Sequence, residues 1–256
     1  MNHLNSMPAQ VPILGTEAAL AHEKSMLERV TSGQVDQALS IWSAQQSIVV
    51  PKRMLSLASF AQASAKSAKE GWPVYARNTG GDATPQGYGV LNVSYAYAVM
   101  QQSKPSIKHA YHELCTPISD FISTLGYQPE YLSIPAAFCD GKYNIGVVGR
   151  KLAGTAQRWA ARKDEQKTTV LFAHALILVN ANISKGTSAI NRLFKYCGQE
   201  QSVEEEAHIN MADLVCGRKN NQLINELAIF LQPRYANLLQ TRQIKTCHQT
   251  TKQEGN

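Results

Sequence analysis

The residues that could do chemistry fall into three short stretches and one isolated histidine. Arg77-Asn78-Thr79-Gly80-Gly81-Asp82-Ala83-Thr84 sets two glycines behind an arginine and a threonine. Gly80 and Gly81 let the backbone approach a ligand and aim N–H groups at a carbonyl or phosphate, and Arg77 could clamp an anion beside them. The same pattern also suits a plain hairpin turn. Gly149-Arg150-Lys151-Leu152-Ala153-Gly154-Thr155-Ala156-Gln157-Arg158-Trp159 puts a lysine at a strand end among small residues. Its ammonium could meet an acyl carbonyl or carboxylate, with Gly154 leaving room; a turn with a solvated lysine is the alternative. Cys139, in Ala136-Ala137-Phe138-Cys139-Asp140, could accept an acyl group if a neighbouring cation activated it, or could fill a core. His174 interrupts the apolar run Leu171-Phe172-Ala173-His174-Ala175-Leu176, as a satisfied buried histidine or a site residue. Nothing nearby completes a metal set around His109 and His112, so no metal site is expected.

The elements that must position these groups are mixed. Apolar spacing predicts a helix from Glu17 to Thr31, ended by Gly33, and a second from Leu55 to Glu70 before Gly71 and Pro73. Residues 39–42, 47–50, 74–77 and 90–99 read as strands, the third running into the glycine turn. A helix over 104–125 carries one apolar stripe, which Pro117 should kink or break. Strands are expected near 131–138, 143–149 and 168–180, then helices near 187–197, 207–214 and 220–240, the last interrupted by Pro233. Without a steady βαβ alternation the fold class is α+β, with mixed sheets flanked by helices. The expected layout is a loose lead-in over 1–16, a single catalytic domain over 17–242 and a polar, frayed tail over 243–256, with no accessory C-terminal domain.

The 256 residues, 44% of them apolar, suffice for a large core. No uncharged apolar run reaches the ~18 residues of a membrane span, and the N-terminus has no signal-peptide pattern. Five scattered cysteines without a CxxC pair point to a reducing, cytoplasmic setting rather than to disulfides or zinc. A net charge of +6 favours an acidic protein or small-molecule partner. The basic residues are dispersed and match no nucleic-acid motif, so neither nucleic acid nor membrane is expected as a partner.

In order along the chain these pieces resemble the biotin/lipoate protein ligase catalytic-domain family. Glu23 on the opening helix, Ile41-Trp42 and Ser47-Ile48-Val49-Val50 resemble its first helix and strand pair. Arg77 to Ala83 resembles its arginine–Ser/Thr–double-glycine loop, Arg150 to Gln157 its lysine–x–Ser/Ala–Gly–Ser/Thr–Ala segment, and Phe172 to Leu178 its histidine-bearing strand. The resemblance covers roughly residues 17 to 200. It implies the class II synthetase-like α+β fold and attachment of a lipoyl or octanoyl group to the acceptor lysine of a lipoyl domain. Lys151 and Cys139 are then the catalytic candidates. Arg77, Thr79, Gly80, Gly81, Asn144, Gly154, Thr155, Ala156 and His174 are the candidates for holding the acyl group or nucleotide.

The resemblance implies two versions of the chemistry. In a transferase, Cys139 carries the acyl group as a thioester, and Lys151 with the Gly80 and Gly81 amides holds the oxyanion; no cofactor is bound tightly. In a ligase, ATP and Mg2+ form an acyl-adenylate against the same loop and Lys151. Asp82 stands where the family's ligases usually carry a third glycine, and Tyr143-Asn144 where they carry an Asn-Asp pair that helps handle nucleotide and magnesium, which favours the transferase. Cys139 lies nearer Lys151 than the nucleophile of related octanoyltransferases does. The implied partners are lipoyl domains of 2-oxoacid dehydrogenases or the glycine cleavage H protein, with acyl carrier protein as a donor. A non-catalytic acyl or lipoyl-domain binder is the remaining reading.

Overall fold

The computed structural model describes residues 10–164, 167–215 and 220–253, except the side chains of 220, 221 and 243–253. Among the described residues, ten strands form two sheets. The larger contains β1 (Ile13–Leu14), β2 (Gln37–Ala44), β6 (Val90–Met100), β7 (Glu130–Leu132), β8 (Asn144–Val147), β9 (Arg150–Ala161) and β10 (Thr168–Leu178), in the order β1-β2-β6-β10-β9-β8-β7. The smaller is β4 (Val74–Arg77), β3 (Ser47–Pro51) and β5 (Thr84–Gln86), in that order. The helices are α1 (Thr16–Thr31), α2 (Phe60–Lys69), α3 (Ile107–Thr124), α4 (Ile183–Tyr196) and α5 (Asn220–Gln253). The fold is α+β, as the lack of alternation implied.

Side-chain alternation decides which residues meet. Leu91, Val93, Tyr95, Tyr97 and Val99 of β6 and Leu171, Ala173, Ala175 and Ile177 of β10 point to one face. There they pack against Ala110, Leu114, Ile118 and Phe121 of α3 and Leu223, Leu227, Leu231 and Tyr235 of α5 in the main core. The alternate residues turn to the opposite face in registered rows: Ser94 beside His174 beside Ala156, then Trp42 beside Asn92 beside Leu176 beside Gly154. The helix α1 buries Thr16, Ala19, Glu23, Met26 and Val30 at three-to-four spacing. The small sheet makes its own core with α2 and α4 through Ile48, Val50, Phe60, Ala63, Ile190 and Leu193. No helix among the described residues is long and apolar enough to cross a membrane.

Several local expectations need correction. Pro117 and Pro233 break neither helix; burial of the α3 stripe outweighs a local cost of about 3 kcal/mol. The strand expected near 131–138 stops at Leu132, and a compact turn follows. Only the 3-10 turn Met211–Leu214 forms where a helix over 207–214 was expected, and His208 instead bridges to Lys151. The last helix runs past 240 to Gln253. Residues 1–9 of the lead-in and 254–256 of the tail lie outside the described residues.

Candidate active site

The lysine motif does not form a turn. Arg150–Ala161 is a twelve-residue strand, long enough to carry small residues along the sheet face that becomes the pocket. Strict alternation would send Lys151 to the same side as Ala153, into the main core. A register shift between Ile145 and Gly146 of β8 prevents this: Ile145 pairs with Ala153, but Gly146 pairs with Lys151. Leu152 is the extra residue and fills the core, while the bulge re-aims Lys151. Its Nζ donates to the carbonyl oxygens of Phe138 and Cys139, the latter at 2.8 Å. A Cβ on Gly154 would lie 3.1 Å from Nζ, so the glycine leaves the ammonium its space. An ammonium has three N–H groups, one more than these two carbonyls accept. Burial brings the Lys151 pKa down to about 8, with Cys139 and Asp140 opposing the shift.

Cys139 sits in the turn between β7 and β8 with φ +48°, a conformation that costs a non-glycine residue about 1–2 kcal/mol. The turn holds because its ends are tied: Asp140 accepts from the Ile134 N–H at 2.8 Å and from the Ser133 hydroxyl, and Glu204 N–H donates to Ala136 O at 2.8 Å. The thiol meets the glycine loop directly. Asp82 N–H points at Sγ from 3.1 Å, and Arg77 Nη2 lies 3.8 Å away. A Cβ on Gly81, whose φ is +95°, would lie 2.2 Å from Sγ. Gly81 is therefore glycine because the sulfur occupies the space a side chain would need. The loop amide that meets the sulfur is that of Asp82.

Arg77 does not stand free as an anion clamp. It is buried, and its guanidinium donates to the carbonyls of Val49 (3.1 Å), Gly80 (3.0 Å) and Asp82 (2.7 Å) and to Thr84 Oγ1 (3.3 Å). It builds the loop and lends its charge to the sulfur. Thr79 shares a hydrogen bond with His174 Nε2 at 3.2 Å, and His174 Nδ1 lies 3.9 Å from Glu23 Oε1. Ser94 donates its hydroxyl to that same carboxylate oxygen. His174 is thus a bonded member of a polar row facing the pocket. Thr155 donates to Tyr143 O at 2.8 Å, and buried Asn144 points its amide at Asp140 from 3.5 Å.

Arg77, Cys139, Lys151, Gly154, Thr155, Ala156 and His174 line one pocket, whose remaining walls include Leu20, Trp42, Val49, Phe138, Leu176 and Leu178. Apolar walls and a set of polar groups that includes Lys151, Arg77, His174 and Glu23 share this cleft, a form suited to an alkyl chain carrying one polar head. Beside it, a cleft of about 330 Å³ shares Leu20, Glu23 and Arg77 and exposes Lys24, Lys52 and Arg158. The Asp140 carboxylate accepts from the Ile134 N–H and the Ser133 hydroxyl. No group of three or more metal-binding side chains occurs among the described residues. Sequence reasoning missed Gln86 and Asn92, whose buried amides pair reciprocally at 2.9 Å in the pocket wall. It also missed His208, which accepts from Phe138 N–H at 2.8 Å; a lone histidine beyond the recognisable motifs gives no signal.

The fold is α+β, and one cleft gathers most of the candidate residues. The sequence profile of the lipoyl protein ligase A/B catalytic domain matches residues 16–226, and the chain belongs to that family of transferases and ligases. It is 36% identical over 171 residues to an uncharacterised protein of Cupriavidus necator, covering 63% of this chain and 67% of that one. It is 25% identical over 198 residues to an octanoyl-[GcvH]:protein N-octanoyltransferase of Kyrpidia tusciae, covering 76% and 68%. A lipoate-protein ligase A solved with bound ATP shares the fold, with a TM-score of 0.60, 17% identity and coverage of 89% and 86%.

Proposed function

We propose that the protein moves an octanoyl group onto the acceptor lysine of a lipoyl domain through a thioester on Cys139. The observation that carries this reading is the setting of Sγ: under the Asp82 N–H, beside Arg77, on a strained turn whose own carbonyl is bound by Lys151. Negative charge on sulfur is met there by a fixed N–H dipole and a guanidinium. Sγ attacks the acyl carbon of the donor, and the third N–H of Lys151 meets the oxygen that becomes negative. The S–C bond forms as the donor's C–N or C–S bond breaks, and the thiol proton leaves on the departing amine or thiol. The neutral acceptor amine then forms the new C–N bond, the S–C bond breaks, and an amine proton returns to sulfur.

The relatives' name makes an octanoylated H protein the first donor to try, with octanoyl-acyl carrier protein as the second. An acidic acceptor domain suits the cleft that carries Lys24, Lys52 and Arg158, which opens beside the acyl pocket. The ligase reading rests on the ATP-bound neighbour; in it ATP is a substrate, and Asn144 beside Asp140 stands where a nucleotide-handling aspartate is implied. The test is the intact mass of a lipoyl domain incubated with the protein and each donor, or with lipoate, ATP and magnesium. Octanoylation that disappears in Cys139→Ser supports the transferase. A mass gain only with lipoate and ATP, unchanged in Cys139→Ser, overturns it.

A further inference from the structure

The segment 204–209 carries no recognisable motif, yet it holds both Lys151 and the turn that carries Cys139. Lys151 N–H donates to Ala207 O at 2.8 Å, and Ile209 N–H donates back to Lys151 O at 2.9 Å, so His208 bridges the bulged start of β9. Its side chain turns to the other partner. Phe138 N–H donates to His208 Nε2 at 2.8 Å, and the ring lies 3.9 Å from the Phe138 ring at 32°. Nδ1 is 2.8 Å from Glu204 O. A carbonyl only accepts, so Nδ1 carries the proton and Nε2 keeps its lone pair for Phe138.

The geometry divides the turn between two holders. Lys151 pulls on the carbonyls of Phe138 and Cys139, while His208 accepts the Phe138 amide on the other side of the same residue. Three consecutive peptide planes are fixed: His208 holds Ala137–Phe138, and Lys151 holds the two planes that flank Cys139 and set its positive φ. Sγ is thereby delivered under the Asp82 amide, into the space that the missing side chain of Gly81 leaves open. We propose that His208 is the positioning residue of the acyl-transfer centre: its imidazole sets the Cys139 turn and its backbone sets Lys151, so one segment fixes thiol and ammonium relative to each other. His208 is 2% exposed and lines no part of the acyl pocket, so it acts without touching substrate. A histidine suits this place for a physical reason. Burial beside the Lys151 ammonium brings its pKa down to about 4, which keeps the ring a neutral acceptor. A carboxylate there would compete for the ammonium instead.

This role rests on Cys139 being the nucleophile, so Cys139→Ser is measured alongside. His208→Phe keeps a ring against Phe138 but has no acceptor, whereas the amide oxygen of His208→Gln can reach the Phe138 N–H. Octanoyl transfer to a lipoyl domain is followed with iodoacetamide labelling of Cys139 at fixed pH. His208→Phe is expected to lower kcat about 100-fold, as a misplacement near 1 Å does, with KM for the donor within about threefold. Labelling of Cys139 changes with it, and His208→Gln recovers at least about tenfold of the loss. If His208→Phe does not fold, as seen by circular dichroism, His208→Asn takes its place, being too short to reach Phe138. A kcat within about threefold of the parent, or equal losses in all variants with Cys139 labelling unchanged, overturns the positioning role. Full transfer by Cys139→Ser sinks the nucleophile reading instead, and that outcome is separate from His208→Phe being fully active while Cys139→Ser is dead.

Discussion

Replacing Gly81 by alanine tests how tightly the thiol is held. The added Cβ would begin 2.2 Å from Cys139 Sγ and 3.0 Å from Arg77 Nη2. Non-bonded heavy atoms settle near 3.5 Å or beyond, so the sulfur must retreat by more than about 1 Å or the loop must open. Both moves break the contact between Asp82 N–H and Sγ, now 3.1 Å. A displacement of that size costs about 100-fold in rate where chemistry depends on alignment. At φ +95° the alanine also adds backbone strain of about 1–2 kcal/mol. Gly80→Ala is the internal comparison, because its methyl meets no heavy atom within 4 Å. Steady-state octanoyl transfer and urea unfolding, run on both variants, separate rate from stability. We expect Gly81→Ala to lose about 100-fold in kcat and Gly80→Ala less than about tenfold. Equal losses in the two, or a Gly81→Ala protein with normal kcat, would refute the reasoning.

Three further outcomes follow. With Lys151 at about 8, single-turnover acylation of Cys139 should decline above that pH as the ammonium is lost, and any residual activity of Lys151→Arg should show no such decline; a parent rate that does not fall up to pH 10 contradicts this (roughly two units beyond the midpoint). His208 stays neutral when folded down to about pH 4 but protonates near 6.5 when unfolded, so the unfolded chain binds the extra proton between these values. Its share of stability is present above 6.5 and lost as pH falls towards 4, about 3 kcal/mol in all; urea midpoints should fall more steeply over that window in the parent than in His208→Phe, and parallel slopes would count against it. Gln86→Leu should cost about 1–3 kcal/mol by orphaning the buried Asn92 amide, and adding Asn92→Leu should recover part of it in thermal melts; a double variant no more stable than the single one would argue against the pairing.

The fold class and the larger elements were legible because periodic apolar spacing survives in sequence: α1 and α3 form within a few residues of the expected spans. Of the candidate residues, Arg77, Cys139, Lys151, Gly154, Thr155, Ala156 and His174 line one pocket, whereas Thr79 lines the neighbouring cleft and Gly80, Gly81 and Asn144 line neither. What could not be read was the means of assembly. The bulge that turns Lys151 away from the core depends on one extra residue against β8, and pairing register leaves no mark on composition. Apolar residues over 131–138 suggested a strand, but Cys139 requires a strained turn held by contacts from 70 positions away. Arg77 offered a free cation in sequence, and only the loop's carbonyls reveal that its hydrogen bonds are already made. The prolines of α3 and α5 show the converse, local preference yielding to burial.

The most direct test of the account is to trap the acyl-enzyme. The protein is incubated with an octanoyl donor and no acceptor, quenched in acid, and analysed by intact mass and peptide mapping. The account predicts one octanoyl group, removable by hydroxylamine and located on Cys139, that passes to a lipoyl domain when one is added. An acyl group found on no cysteine, or a Cys139→Ser protein that still octanoylates the acceptor at the parent rate, would contradict it.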